Sequence, residues 1–351
     1  MNRRSFLLAL GAAACGAKAP AKPRAPRKPL PPPPDGTVHE PEQDFALAEI
    51  LRSPLGLHHE LLVHATSSEL RFWDAMTMTR VGSLELRTRG VCFLQDGTLA
   101  AFVQPPDQKR CELHLIDHNR EVRVLWGPEF DGAIDSEIVP GRSAAEVYIS
   151  DERYEITRFD LHERELRNSG KVAVDLSYWG RLRQLTSLGD GRLVTRGGTK
   201  LCVSEPGKRT LEYSTGKEIA VHLAPASRGR VWYSYFIGAP AAPQGIALVS
   251  LGDVLTVDAR IDLAPAEINH AHADGGALAV LVHSEPSRWR IIVYDESGAE
   301  RWRSDVPAPY AERGSRRRFG HVTISDQRVA LLKAGSDTVL AWDATTGKPI
   351  G

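Results

Sequence analysis

Cysteine is scarce in this chain, four residues in 351, which excludes a small scaffold held by disulfides. A net charge of one sign is also missing, since 44 Lys+Arg face 44 Asp+Glu. That balance hides an asymmetry. Residues 1–36 hold seven basic groups and one acid, Asp35, leaving 37 basic against 43 acidic groups in residues 37–351. A body of that sign lacks the electrostatic footprint of a nucleic-acid binder, and no nucleic acid is expected as a partner. The apolar run Phe6–Ala14 is too short to cross roughly 30 Å of hydrocarbon as a helix. No GxSxG, P-loop, CxxC or acidic loop of EF-hand spacing occurs. What is present is an ordinary globular composition, 42% hydrophobic and 25% charged, long enough for a substantial core.

The N-terminus reads as an address. Arg3 and Arg4, then Phe6 and Leu7, open an apolar run that ends in Ala13, Ala14 and Cys15. This pattern resembles a twin-arginine export signal followed by a bacterial lipobox. The resemblance implies a signal peptide over residues 1–15 and lipid attachment at Cys15. The alternative is ordinary cleavage with Cys15 incidental. Residues 16–36 follow, with eight prolines and four basic residues between Ala19 and Gly36. Proline fixes φ and removes the amide donor, so this run is expected to be a semi-rigid tether between a membrane and a body at residues 37–351. A docking site for a PxxP-reading domain is the other reading. The expected location is therefore outside the cytosol, in the periplasm or on the outer face of the envelope. Cys92, Cys111 and Cys202 sit in strand-like apolar contexts and are expected to be buried thiols; Cys92 and Cys111 fall on non-adjacent strands, beyond disulfide reach.

A repeat carries the fold. Alternating apolar residues ending in Asp or Ser recur at Asp74, Asp117, Asp160, Ser204, Ser250, Asp295 and Asp343, separated by 43, 43, 44, 46, 45 and 48 residues. Hairpin signals such as Asp96-Gly97 and Asp190-Gly191 lie upstream of these anchors, and a further strand-like run lies downstream. Each unit thus reads as four short antiparallel strands. Seven such units predict an all-β, seven-bladed β-propeller, since one small sheet cannot bury both faces alone whereas seven packed radially cover one another. The anchor side chains are expected to accept amide hydrogens in the turns that follow.

The last unit resembles a WD40 repeat. Gly320-His321 stands in the place of the GH pair, Trp342-Asp343 in that of the WD pair, and Asp337 is the candidate turn aspartate, one residue nearer Trp342 than the family pattern puts it. The resemblance implies structural roles for His321, Asp337, Trp342 and Asp343. Val293–Trp302 also resembles quinoprotein-type propeller repeats. The segment Thr37–Ile50 is a candidate for pairing with the last blade to close the ring.

Two clusters are candidates for binding. His222, His270 and His272 fall on expected innermost strands of units five and six, with His321 in unit seven, where imidazoles converge on a metal, anion or substrate if they line a channel. Separately placed, partly buried histidines are the plainer reading. Arg313, Arg316, Arg317 and Arg318 lie together before unit seven, suited to a carboxylate- or phosphate-bearing partner, or simply a solvated loop. His59 and His64 are five apart in an expected strand, on opposite faces, and so do not make a zinc-protease motif. Ser214-Thr215-Gly216-Lys217 reads as a turn rather than an activated serine. The expectation is a non-catalytic, membrane-tethered module that binds a protein or an envelope polymer, with no cofactor predicted. The alternative is a channel enzyme or cofactor binder, either a metal-assisted hydrolase or lyase or a quinoprotein-like oxidoreductase.

Overall fold

The computed structural model describes residues 55–58, 61–65, 68–103, 110–129, 137–150, 155–172, 185–238, 244–274, 276–284, 288–306, 321–332 and 339–350. The expected signal peptide, Cys15, the tether, the Thr37–Ile50 segment, the arginines at 313 and 316–318, and Asp337 lie outside these residues.

The described residues contain β-strands and one short 3₁₀ turn, Ser227–Gly229. The strands form seven four-stranded antiparallel blades in chain order. Blade one comprises β1 (Leu55–His58), β2 (Leu61–Ala65), β3 (Glu69–Asp74) and β4 (Thr79–Glu85). Blade two is β5 (Gly90–Phe93), β6 (Leu99–Val103), β7 (Arg110–Ile116) and β8 (Val122–Glu129). Blade three is β9 (Ile138–Pro140), β10 (Glu146–Ser150), β11 (Ile156–His162) and β12 (Glu165–Val172). Blade four follows as β13 (Leu185–Ser187), β14 (Leu193–Gly197), β15 (Lys200–Ser204) and β16 (Leu211–Ser214). Blade five is β17 (Glu218–Pro225), β18 (Arg230–Ile237), β19 (Gly245–Leu251) and β20 (Leu255–Asp262). Blade six is β21 (Glu267–Asp274), β22 (Ala277–Ser284), β23 (Arg288–Asp295) and β24 (Glu300–Val306). Blade seven is β25 (His321–Ile324), β26 (Arg328–Leu332), β27 (Val339–Asp343) and β28 (Pro349–Ile350). Blades two and three also touch at their outer edges, where Trp126 pairs in parallel with Glu165.

The first strand of each blade lies beside the first strand of the next, from β1 round to β25 and back to β1. These strands therefore surround the axis, and the ring closes between blades seven and one.

Burial explains why the second strands read as continuous apolar runs. Every residue of β6 and β26 is buried, because each face of a blade meets a different neighbour. In β22, Leu278, Val280 and Val282 join the core against blade five, while Ala277, Ala279 and Leu281 join the core against blade seven. Each of the seven seams holds one such core, the seam that closes the ring being built from Leu62, Trp73, Ala75, Ala330 and Leu332. Fully burying one such Leu or Val stabilises by about 1.5–3 kcal/mol, so the seams supply the driving force for the ring.

Polar latches add direction to the seams. Arg328, at the start of β26, donates through Nε to the Ala75 carbonyl of blade one at 3.1 Å. Arg192 reaches the Leu251 carbonyl of blade five at 2.9 Å, and Arg230 pairs with Glu296 of blade six. Between blades six and seven, the Trp302 indole donates to the Ala344 carbonyl at 2.8 Å. Gly347 lies under that indole with φ +68, and a Cβ there would stand 2.6 Å from Trp302 Cδ2.

The meander separates two rims. Connections from first to second and from third to fourth strands fall on one, the turn rim; all others fall on the opposite, loop rim. The longest turn-rim connection is residues 205–210, whereas the strand ends on the loop rim bracket longer stretches of sequence, the longest lying between Val306 and His321.

On the turn rim, Asp74 Oδ1 accepts from the Met76 and Thr77 amides at 2.8 and 2.9 Å, and Asp117 Oδ1 from the Glu121 amide at 2.8 Å. Asp295 Oδ1 accepts from Ser297 and Ala299 at 2.8 and 3.1 Å. Asp343 Oδ1 accepts from the Thr345 and Thr346 amides at 3.1 and 2.7 Å. Asp160 differs. β11 runs past it to His162, and its carboxylate is held by the Ser169 hydroxyl and by Arg158 at 3.2 Å rather than by a turn. Cys92, Cys111 and Cys202 form no disulfide, Cys92 being half-buried. Burial pushes the Cys111 thiol up to about 12, so it is not a nucleophile at neutral pH.

Candidate functional site

The strand registers put His222, His270 and His321 at equivalent places in blades five, six and seven. Each stands on a first strand, opposite Ser234, Leu281 and Leu332 respectively. In β17 and β21 a bulge immediately precedes the histidine, at Ala220/His222 and Ile268/His270. The bulge resets which face the following residues occupy. The rings form a file: His222 to His270 centroids are 6.1 Å apart, and His270 meets His321 edge-on at 5.0 Å.

His270 and His272 have a second partner. The Val322 amide donates to His270 Nδ1, and the Ile324 amide to His272 Nδ1, each at 3.3 Å. These amides belong to alternate residues of β25 and point away from β26. The innermost edge of blade seven is thus capped by imidazoles from blade six, answering the need of a sheet edge for acceptors. Blade three meets the same need with a carboxylate. Glu137, opposite Ser150, accepts the Leu185 amide of blade four through Oε2 at 2.6 Å.

All four histidines are neutral at neutral pH. Burial is the main cause at each, lowering His222 and His321 to about 4 and His270 well below the usual imidazole value. The Arg196 charge adds to the effect on His222, and His64 adds to that on His321. His272 is lowered by burial against the opposing pull of Asp274. Among the described residues, a carboxylate acts on His272 and on none of the other three. Among the described residues, His321 Nδ1 is buried without a hydrogen-bond partner, and no group of three or more His, Cys, Asp or Glu side chains is placed to hold a metal ion.

Other residues singled out from the sequence fall elsewhere. Trp342 is buried in the core between blades six and seven. His64 is buried on β2 and stacks on Trp73 at 6.0 Å. Ser214 accepts the Gly216 amide at 3.2 Å in the turn after β16.

Two polar groups were not legible beforehand. At the loop rim of blade five, Glu218 is buried and receives hydrogen bonds from Tyr233 and Arg260, while Arg260 also donates to Tyr235 at 3.2 Å. Ile237, at the same end of β18, is 59% exposed. At the turn rim, a cavity of about 200 Å³ opens between blades five and six, bounded by Trp232, Ala273, Asp274 and Glu296. Glu296 is already engaged there by Arg230 and by the Ser227 amide at 2.8 Å.

No family model and no curated protein matches the chain. Solved structures do. The β-propeller domain of Cps50 (Swd1) from Myceliophteria thermophila superposes with TM-score 0.59 at 9% identity, over 82% of this chain and 96% of that one. Hsv2 of Kluyveromyces lactis gives 0.57 at 12%, over 81% and 90%, and AztD of Citrobacter koseri 0.55 at 10%, over 81% and 91%. A chain in the crystal structure of the Mitotic Checkpoint Complex gives 0.56 at 12%, over 92% and 96%. At these identities the likeness is one of fold: the described blades make a seven-bladed β-propeller.

Proposed function

We propose that this chain is a non-catalytic binding module, tethered to a membrane outside the cytosol, that holds a protein partner on its loop rim. The observation that carries this reading is the separation of the rims. The longest stretches of sequence between described strands start and end at one rim, while at the other the described turns are short and four are capped by Asp74, Asp117, Asp295 and Asp343. Exposed connections on a rigid scaffold are where recognition concentrates. The loop rim is also where the Glu218–Arg260–Tyr235 group fixes the end of blade five beside exposed Ile237. The clustered histidines favour binding over chemistry, because among the described residues His222, His270 and His321 gather without a carboxylate to orient or activate them. That a chain of the same fold occurs in the Mitotic Checkpoint Complex supports protein rather than small-molecule partners. An envelope polymer is the other ligand this rim would suit. The tether rests on Arg3, Arg4, Cys15 and the proline run.

The test replaces residues 239–243 and 307–320 by Gly-Ser linkers in the full chain and, separately, residues 205–210 of the turn rim. Recovery of a crosslinked partner is then measured in the native membrane fraction. Loss with the loop-rim replacements alone is the expected result, and loss with the turn-rim replacement alone contradicts the proposal. For the tether, Cys15→Ser is expected to move the chain from the membrane to the soluble fraction; unchanged retention contradicts lipidation.

A further inference from the structure

We propose that the seam between blades six and seven is an acid-released joint: protonation of His270 and His272 removes the acceptors of the Val322 and Ile324 amides and frees β25 from β21 while the other seams stay closed. The geometry carries this directly. An amide that donates to Nδ1 needs the lone pair there, so each ring must be neutral with its proton on Nε2. A second proton on the ring occupies Nδ1, turns the acceptor into a donor, and sets two N–H groups against each other at both contacts.

The surroundings offer the new charge little compensation. From β17 and β25 the facing groups are His222 and His321, which carry no negative charge. Beyond them stand the Arg196 cation of β14 and His64 of β2. From β22, His283 is turned onto Trp289, with centroids 4.6 Å apart. On β21 itself Asp274 faces His272 alone.

The direction of the effect follows by linkage. In the closed joint these rings titrate below an ordinary histidine; once released they return to about 6.5. The open joint therefore binds more protons, and the closed one loses ground as pH falls below about 6.5. The seam between blades three and four is a built-in control. Its cap is the Glu137 carboxyl, whose oxygen accepts the Leu185 amide whether or not the group is ionised.

Amide hydrogen exchange of the full chain at pH 7.5 and 5.0, corrected for intrinsic rates, tests the proposal. Protection of Val322 and Ile324 is expected to fall by about tenfold or more at the lower pH, with Leu185 unchanged. The variant His270→Asn/His272→Asn presents a side-chain oxygen where Nδ1 stood and does not titrate, so it is expected to keep β25 protected at pH 5.0. Equal loss at Leu185 and Val322, or the same acid sensitivity in the variant, would overturn the proposal. If the variant does not fold, ¹⁵N spectra of the parent chain decide. Neutral rings with Nδ1 unprotonated at pH 7.5 are expected for both residues, and charged rings at that pH would sink the idea.

Discussion

Arg328 concentrates in one side chain what the ring needs at its closing seam. It is buried, and its guanidinium donates to the Ala75 carbonyl, to the Gln327 carbonyl at 2.9 Å and to Asp343 at 3.4 Å. Hydrogen bonds from a charged donor contribute about 1.5–3 kcal/mol, and of the partners left behind Ala75 is buried. Arg328→Ala is therefore expected to lower unfolding stability by about that amount in urea titrations. Arg328→Lys should recover little, because an ammonium cannot span carbonyls of both blades in the plane of the fork. Asp343→Ala should cost about 1–2 kcal/mol for its lost turn bonds. The Asp343 carboxyl is held below its ordinary value first by the Thr346 amide, then by the Thr346 hydroxyl, with Arg328 contributing. The folded state thus binds this proton less well than the unfolded chain. The stability the group adds is complete above its ordinary value and is lost as pH falls through its lowered one. Asp160 offers the contrast: without a turn to cap, Asp160→Asn should change stability less than Asp343→Asn in the same titration.

At the scale of strands and seams, a substitution is felt on the face it occupies. Leu281→Ala opens a void between blades six and seven, and Leu278→Ala one between blades five and six, although the two residues lie on the same strand. Each should cost about 2–5 kcal/mol. Only the first is expected to speed exchange of the β25 amides. Gly347→Ala should destabilise the same seam, since the new methyl meets the Trp302 ring and φ is positive. Much of this level was legible in advance. The spacing of Asp74, Asp117, Asp295 and Asp343 marked the third strands and their turns, because an Asp that caps a turn acts within four residues of itself. The inter-blade contacts were not legible. Glu137 reaches Leu185, and Arg328 reaches Ala75, across sequence distances that carry no local pattern. Nor does composition announce the bulges before His222 and His270, which reset the face that the following residues occupy.

At the scale of the whole ring, two of the seven seams differ in what caps them, imidazoles between blades six and seven and a carboxylate between blades three and four, and the proposal follows from that difference. The fold itself was readable from the repeat, because a unit of four strands recurring seven times has few ways to bury its faces. The partner was not readable, because the proposed reading puts recognition on connections that lie outside the repeated pattern of strands and turn aspartates. His222 and His321 titrate near 4, so the closed ring should also lose overall stability as pH falls from about 6.5 toward 4. A melting temperature that stays level across that window would contradict their burial as neutral rings. The most direct measurement places a photo-crosslinking residue at Ile237 on the loop rim and, in a second chain, at Thr345 on the turn rim, both in the native membrane fraction. A discrete protein adduct from position 237 and none from 345 is expected. Adducts from 345 alone, or none from either position, would contradict a protein-binding loop rim.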